Sequence, residues 1–100
     1  MSKISLSVVL PIYNEENTIL KILKKVNDLS SHFNMEIIII DDGSIDSTKQ
    51  LLKENSNLYT KSLFLEKNSG KGKAVIEGIK MCNGEYIVIQ DADLEYSPND

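Results

Sequence analysis

Hydrophobic positions along the chain alternate between short unbroken apolar runs and longer stretches in which apolar residues recur every three or four positions. The first run, Leu6 to Leu10, is rich in β-branched residues and is stopped by Pro11, which predicts a strand. From Glu15 to Leu29 the apolar residues Ile19, Ile22, Leu23, Val26 and Leu29 keep to one face of a helix. Asn14 stands where an N-cap is expected, and Glu15 and Glu16 suit the positive end of the helix dipole. Ile37-Ile38-Ile39-Ile40 predicts a second strand, ended by Asp41-Asp42-Gly43-Ser44. Ser44 or Asp46 can cap a short helix carrying Leu51 and Leu52. Leu63-Phe64-Leu65 predicts a third strand, and Asn68-Ser69-Gly70-Lys71-Gly72 a loop. Ala74, Val75, Gly78, Ile79 and Cys82 lie on one face of a third helix; Asn83-Gly84 ends it, and Tyr86 to Gln90 is a fourth strand.

The order is β-α-β-α-β-α-β, with no internal repeat and no linker to divide the chain. Strands that read as continuous apolar runs are expected to be buried on both faces, as in a parallel sheet covered by helices. The predicted class is α/β: a three-layer, Rossmann-like, mostly parallel sheet of four strands alternating with three helices, in one domain. Such sheets bind ligands beyond the carboxyl ends of their strands. The polar clusters of this chain fall at those ends: Pro11, Tyr13, Asn14 and Glu15; Asp41 and Asp42; Lys71 and Lys73; Asp91 and Asp93.

The chain has 100 residues, 41% hydrophobic and 26% charged, which fits a folded domain and not a disordered segment. A net charge of -4 argues against nonspecific nucleic-acid binding, which needs a basic face. It leaves room for a nucleotide whose charge a metal and a few lysines balance locally. Cys82 is the single cysteine, so no internal disulfide forms; its apolar helical setting predicts a core residue, and His32 predicts a surface loop. No apolar run approaches a membrane span, and the N-terminus is a poor signal peptide.

Asp91-Ala92-Asp93 carries the most chemistry. Residues two apart in extended chain point the same way, so two carboxylates converge at the end of an apolar strand. Such a pair needs a cation or a shared proton between its members, and Mg2+ or Mn2+ is the natural partner because it takes oxygen ligands and bridges to phosphate. The alternative is a solvated turn with two helix-capping Asp residues. Of Asp41 and Asp42, one is expected to cap and one, Asp42, to accept from a base, a ribose or a metal-bound water. The loop 68–73 lacks the Walker spacing, but it opens a helix whose N-terminus favours anions. Lys71 and Lys73 add charge there unless both are simply solvated. Tyr13 can stack on a base or pack on the first helix. No G-x-G-x-x-G follows the first strand, which argues against a dinucleotide cofactor.

Taken in order, Val8-Val9-Leu10-Pro11-Ile12-Tyr13-Asn14-Glu15-Glu16, the Asp41–Thr48 segment, Asn68-Ser69-Gly70-Lys71-Gly72-Lys73-Ala74 and the Asp91–Pro98 segment resemble family 2 glycosyltransferases. The similarity is greatest to the branch of dolichyl-phosphate mannosyl- and glucosyltransferases and bacterial polyprenyl-phosphate glycosyltransferases. The resemblance implies a GT-A fold, a GDP- or UDP-linked sugar donor, and Mg2+ or Mn2+. It implies that Pro11, Tyr13 and Glu15 line the nucleotide pocket, that Asp42 bonds the base, and that Lys71 or Lys73 lies near the nucleotide. Asp91, Ala92 and Asp93 would hold the ribose and the metal–diphosphate, with Asp91 and Asp93 as metal ligands. Glu95 stands where that branch often has Gln, which leaves the sugar nucleotide open.

The family's acceptor site and catalytic base lie downstream of the D-x-D motif, so no catalytic residue is assigned within residues 1–100. The expectation is the nucleotide-sugar-binding half of a truncated GT-A domain, inactive alone, self-associating through an exposed strand edge. A cytoplasmic location is expected, at a membrane face only through a lipid acceptor or a C-terminal part. The competing readings are a noncatalytic nucleotide-binding fragment and a receiver-like, Mg2+-binding signalling domain. A receiver would carry its acidic pair after strand one, whereas here the pair follows strand two. A pyrophosphorylase would need a glycine-rich loop where Pro11-Ile12-Tyr13-Asn14-Glu15 stands.

Overall fold

A computed structural model describes residues 3–92. The apolar runs form β1 (Leu6–Ile12), β2 (Met35–Asp41), β3 (Lys61–Phe64) and β4 (Tyr86–Ile89). The periodic stretches form α1 (Ile19–Leu29), α2 (Thr48–Glu54) and α3 (Lys71–Lys80), with a 3-10 turn at Ser56–Leu58. The strands make one parallel sheet in the order β3-β2-β1-β4. That order matches the first four strands of the doubly wound dinucleotide fold. It differs from the receiver-type order, in which β1 lies between β2 and β3. The α/β expectation therefore holds, and the receiver expectation does not.

Alternation along β1 and β2 divides the core in two. Val8, Leu10, Ile12, Ile37 and Ile39 pack with Ile19, Leu23 and Leu52 from α1 and α2. Val9, Ile38 and Ile40 pack on the opposite face with Ala74 of α3. Each such Leu or Ile contributes about 1.5–3 kcal/mol by leaving water. α3 lies close to the sheet because Gly78 has no side chain: a Cβ there would sit 2.5 Å from Cγ1 of Val9. Cys82 is half-buried beside this core, its thiol donating to the Gly78 carbonyl at 3.3 Å, and burial pushes its pKa up. His32 is exposed in the turn after α1.

The chain turns back across the sheet after β3, so β1 and β4 flank the topological switch point. Pro11 does not end β1, as its ring suggested; it pairs opposite Ile40 of β2. Backbone groups of successive residues face alternate neighbours. The Ile12 carbonyl accepts from Asp42 on the β2 side, and the Val9 carbonyl accepts from Gln90 on the β4 side. Pro11 thus turns its missing N–H toward β4, where the register ends at Val9–Ile89. The proline keeps β1 in the sheet with β2 while ending its ladder with β4, and a crevice opens between the two.

β4 departs from expectation. Its four residues are all exposed, Tyr86 at 71% and Ile89 at 40%, although the run is as apolar as β1. Among the described residues β4 is an edge strand, and α3 packs on β1 and β2.

At the amino end of the sheet, Glu36 is 1% exposed and ties all four strands together. Its carboxylate accepts from the Ser7 hydroxyl and the Asn83 N–H, each at 2.6 Å, and pairs with Lys61 at 3.0 Å. Lys61 also donates to the Met81 carbonyl at 2.7 Å, and Gly84 N–H donates to Ser7 Oγ at 2.8 Å. Burial pushes the Glu36 carboxyl up, but Ser7, Asn83 and Lys61 outweigh it and hold the pKa below its ordinary value.

Candidate functional site

The crevice at the carboxyl ends of β1 and β4 is a cleft of about 390 Å3. Pro11, Tyr13, Glu15, Asp42, Lys71, Asp91 and Ala92, all singled out from the sequence, line it. Ile12, Asn68, Gly70 and Ala74 complete the lining. Asn68 and Gly70 belong to the loop and motif 68–74, and their place just ahead of α3, after β3, is the signal that puts them at the ligand end of the sheet. Lys73 is exposed and does not line the cleft. Helical residues two apart face different sides, which places Lys71 and not Lys73 on the cleft. Asp93 lies outside the described residues, as does Glu95.

Tyr13 follows β1 directly, is partly exposed and lines the cleft. The next residues depart from the expected helix start. Asn14 has φ 49 and does not cap α1, which begins at Ile19 after a turn closed by Thr18 N–H and Ile19 N–H on the Glu15 carbonyl. Asn14 instead accepts from Ile45 N–H at 2.9 Å and donates its own N–H to Ser44 Oγ at 2.8 Å. Glu15 N–H donates to Thr48 Oγ1 at 2.8 Å, and Glu16 accepts from Ser47 N–H at 2.8 Å. Glu16 thus serves the start of α2 rather than α1. Asp46, accepting from Thr48 N–H at 2.8 Å, serves the same helix end, as expected. These bonds join the loops after β1 and β2 into one frame.

Asp41 and Asp42 are both buried and point to different partners. Asp41 accepts from the Ser44 hydroxyl at 2.5 Å and from Ser44 N–H at 3.2 Å, so it is the turn-forming member of the pair. Burial pushes its pKa up, against the lowering effect of Ser44. Asp42 lines the cleft and accepts from Ser69 N–H at 2.8 Å and Gly70 N–H at 2.9 Å. Gly43 follows at φ 73, where a Cβ would lie 2.4 Å from the Lys67 carbonyl carbon, so only glycine fits.

Across the cleft, Lys71 Nζ donates to Asp91 Oδ1. Both side chains are more than half exposed. Ala92 is buried against the α1 side of the sheet, and its carbonyl accepts from Thr18 Oγ1 at 3.5 Å. The backbone after β4 is therefore pinned beside α1, with Asp91 left on the open side. A hard divalent ion fits this place: Asp91 already holds a cation, the Lys71 ammonium, and Mg2+ needs only one or two carboxylates beside water and phosphate oxygens. Among the described residues no three acidic, His or Cys side chains converge.

Known proteins resemble this chain in sequence and in fold. The chain is 31% identical over 99 residues to undecaprenyl-phosphate 4-deoxy-4-formamido-L-arabinose transferase of Pseudomonas fluorescens, covering 94% of the chain and 29% of that protein. It is 34% identical over 93 residues to dolichol-phosphate mannosyltransferase of Pyrococcus furiosus, covering 92% of the chain and 26% of that protein. The chain thus spans less than a third of the curated relatives it matches. The structure of S. aureus TarS 1-349 in complex with UDP superposes with a TM-score of 0.77 at 29% identity, over 89% of this chain and 27% of that one. The glucosyl-3-phosphoglycerate synthase of Mycobacterium tuberculosis, in complex with Mn2+, UDP and glucosyl-3-phosphoglycerate, gives 0.74 at 28% identity, over 89% and 33%. A family model, glycosyl transferase family 2, matches residues 7–100; the chain belongs to that family and has its GT-A fold.

Proposed function

We propose that residues 1–100 form the donor-binding half of a glycosyltransferase that takes a sugar from a GDP- or UDP-linked donor and passes it to a polyprenyl phosphate. The observation that carries this reading is the convergence of Tyr13, Asp42, Lys71 and Asp91 on one cleft at the switch point of a parallel sheet. An aromatic ring, buried acceptors and an exposed carboxylate–cation pair are the chemistry a nucleoside diphosphate requires. Pro11, Glu15 and Ala92 shape the cleft, and Asp91 with Asp93 would hold Mg2+ or Mn2+. Such an ion neutralises the diphosphate as a leaving group. The relatives' names support a lipid-phosphate acceptor, and the complexes of TarS and of the mycobacterial synthase support UDP as the first nucleotide to test.

No described helix is long and apolar enough to cross a membrane. A lipid-phosphate acceptor would bring the protein to a membrane surface, on the cytoplasmic side in this reading. The exposed, apolar edge strand β4 supports self-association of the chain. Calorimetry with UDP and GDP, with and without Mn2+, tests the central reading. Mn2+-dependent binding that Asp91→Ala abolishes is the expected result; metal-independent binding unchanged in Asp91→Ala, or none at all, would refute it.

A further inference from the structure

We propose that Ser44 is a positioning residue: its hydroxyl, aimed by Asp41, holds Asn14 in the turn that sets Tyr13 and Glu15 on the cleft. The inference rests on the nucleotide reading above. Tyr13 and Glu15 line the cleft, whereas Asn14 between them and Ser44 do not. Asn14 lies at φ 49, in the left-handed region that asparagine tolerates without preferring it. A residue held there persists only when its surroundings fix it.

The direction of each bond shows how the fixing works. Asp41 is fully buried, and a carboxylate only accepts. One oxygen accepts from the Ser44 hydroxyl at 2.5 Å, the other from Ser44 N–H at 3.2 Å. A hydroxyl has one proton, so with that proton committed to Asp41, Ser44 Oγ meets Asn14 as an acceptor. Asn14 N–H donates to it at 2.8 Å. The contact is returned: Asn14 Oδ1 accepts from Ile45 N–H at 2.9 Å.

The next amide is held in the same manner. Glu15 N–H donates to Oγ1 of the buried Thr48 at 2.8 Å. β1 ends at Ile12, so the segment carrying Tyr13 and Glu15 lies beyond the strand ladder. Two hydroxyls of segment 44–48 take the place of a strand partner there. The Lys71–Asp91 pair lies across the cleft, and the bonds of this joint do not include it. Loss of the joint should therefore loosen the hold on the nucleotide without changing how much a metal adds.

Ser44→Ala, Ser44→Thr and Asn14→Gly test this, by calorimetry with UDP and GDP, with and without Mn2+, and by amide exchange below the unfolding transition. Ser44→Ala should weaken nucleotide binding about three- to tenfold, the loss expected for one neutral hydrogen bond. Mn2+ should strengthen that binding by the same factor as in the wild type, and exchange at Asn14 should rise. Ser44→Thr keeps the hydroxyl and should restore both affinity and protection. Asn14→Gly allows the turn but loses the returned bond, and should weaken the nucleotide likewise; it also serves should Ser44→Ala not fold. The double variant, with both Ser44→Ala and Asn14→Gly, should bind no more weakly than the weaker single variant, because both release one joint. Full affinity in Ser44→Ala, a loss that Ser44→Thr shares, a changed Mn2+ factor, or losses that multiply in the double variant would each overturn the proposal. A wild type that binds neither nucleotide would refute the donor reading instead, while exchange at Asn14 in Ser44→Ala against Ser44→Thr still judges the joint.

Discussion

Glu36, at the amino end of β2, and Asp91, beyond the carboxyl end of β4, are carboxylates of one sheet in opposite settings. Glu36 is 1% exposed and touches Ser7, Lys61 and Asn83, with partners drawn from across the sheet. Asp91 is more than half exposed and has a lysine on a neighbouring helix. A buried charge is tolerated only when its surroundings satisfy it, and then it binds its own fold. An exposed charge held beside a cleft keeps its capacity for something else. Substitutions at the two acids should therefore disturb different things: stability at Glu36 and the cleft at Asp91.

The largest effect is expected at Glu36. Glu36→Ala leaves the Lys61 ammonium, the Ser7 hydroxyl and the Asn83 N–H without their shared acceptor. Removing one partner of a buried pair costs about 3–5 kcal/mol, a large share of a small domain's stability. Urea denaturation should show that loss, while the molecules that remain folded bind nucleotide as the wild type does. A fall below 1 kcal/mol, on the order of a surface pair, would erase the contrast between the two ends.

The same network gives a pH dependence of known sign. The folded pKa of Glu36 lies below its ordinary value, so its contribution is present above the unfolded pKa of about 4.3 and is lost as pH falls through the folded value. Asp46 shifts the same way, against the raising effect of its burial, through its bonds to Thr48 and Glu16. Asp41, raised by burial, shifts oppositely and favours acid, its contribution fading as pH rises through its folded pKa. Urea midpoints measured from neutral pH down past the carboxylate range should fall in the wild type. They should fall less steeply in Glu36→Gln; parallel profiles would assign the acid sensitivity to other groups.

The sequence carried the element order, the parallel sheet and most of the cleft because those depend on local patterns and on the rule for carboxyl ends. Continuous apolar runs placed β1 and β2, and polar residues just past the runs placed Tyr13, Asp42, Lys71 and Asp91. What it could not carry depends on neighbours distant in the chain. β4 reads like β1 but lies at an edge, and only the strand order reveals it. Asn14 and Glu16 look like the start of α1, yet their partners are at positions 44–47 of another loop. The Glu36 network was invisible for the same reason: Ser7, Glu36, Lys61 and Asn83 are spread along the whole chain. Lys73 stands two residues after Lys71 on α3 and, unlike it, is not among the residues lining the cleft.

Asp91→Asn is the counterpart of the Glu36 substitution and should reverse its profile. Stability should change by no more than about 0.5 kcal/mol, the usual range for an exposed position. Nucleotide binding should lose its Mn2+ dependence, falling about tenfold at saturating metal, or about 1.4 kcal/mol. Thermal unfolding and calorimetry on one preparation check both halves. A destabilisation like that of Glu36→Ala would make Asp91 a structural acid after all.

The smallest effect and the finest test belongs to Lys71. Its ammonium pairs with Asp91 Oδ1, so a metal binding that oxygen competes with it. The pair is exposed and worth about 0.2–1 kcal/mol, which corresponds to a barrier a divalent ion overcomes easily. Lys71→Gln should therefore bind Mn2+ alone a few-fold more tightly than the wild type, about two- to fivefold, as read from water-proton relaxation. Lys73→Gln removes the same charge from the same helix but outside the cleft, and should leave Mn2+ affinity close to the wild type. Equal gains in both variants would reduce the effect to net charge, and no gain in either would separate Lys71 from the metal position. A gain confined to Lys71→Gln would identify the exposed carboxylate as a site held in reserve by its lysine, the opposite of the permanent pairing at Glu36.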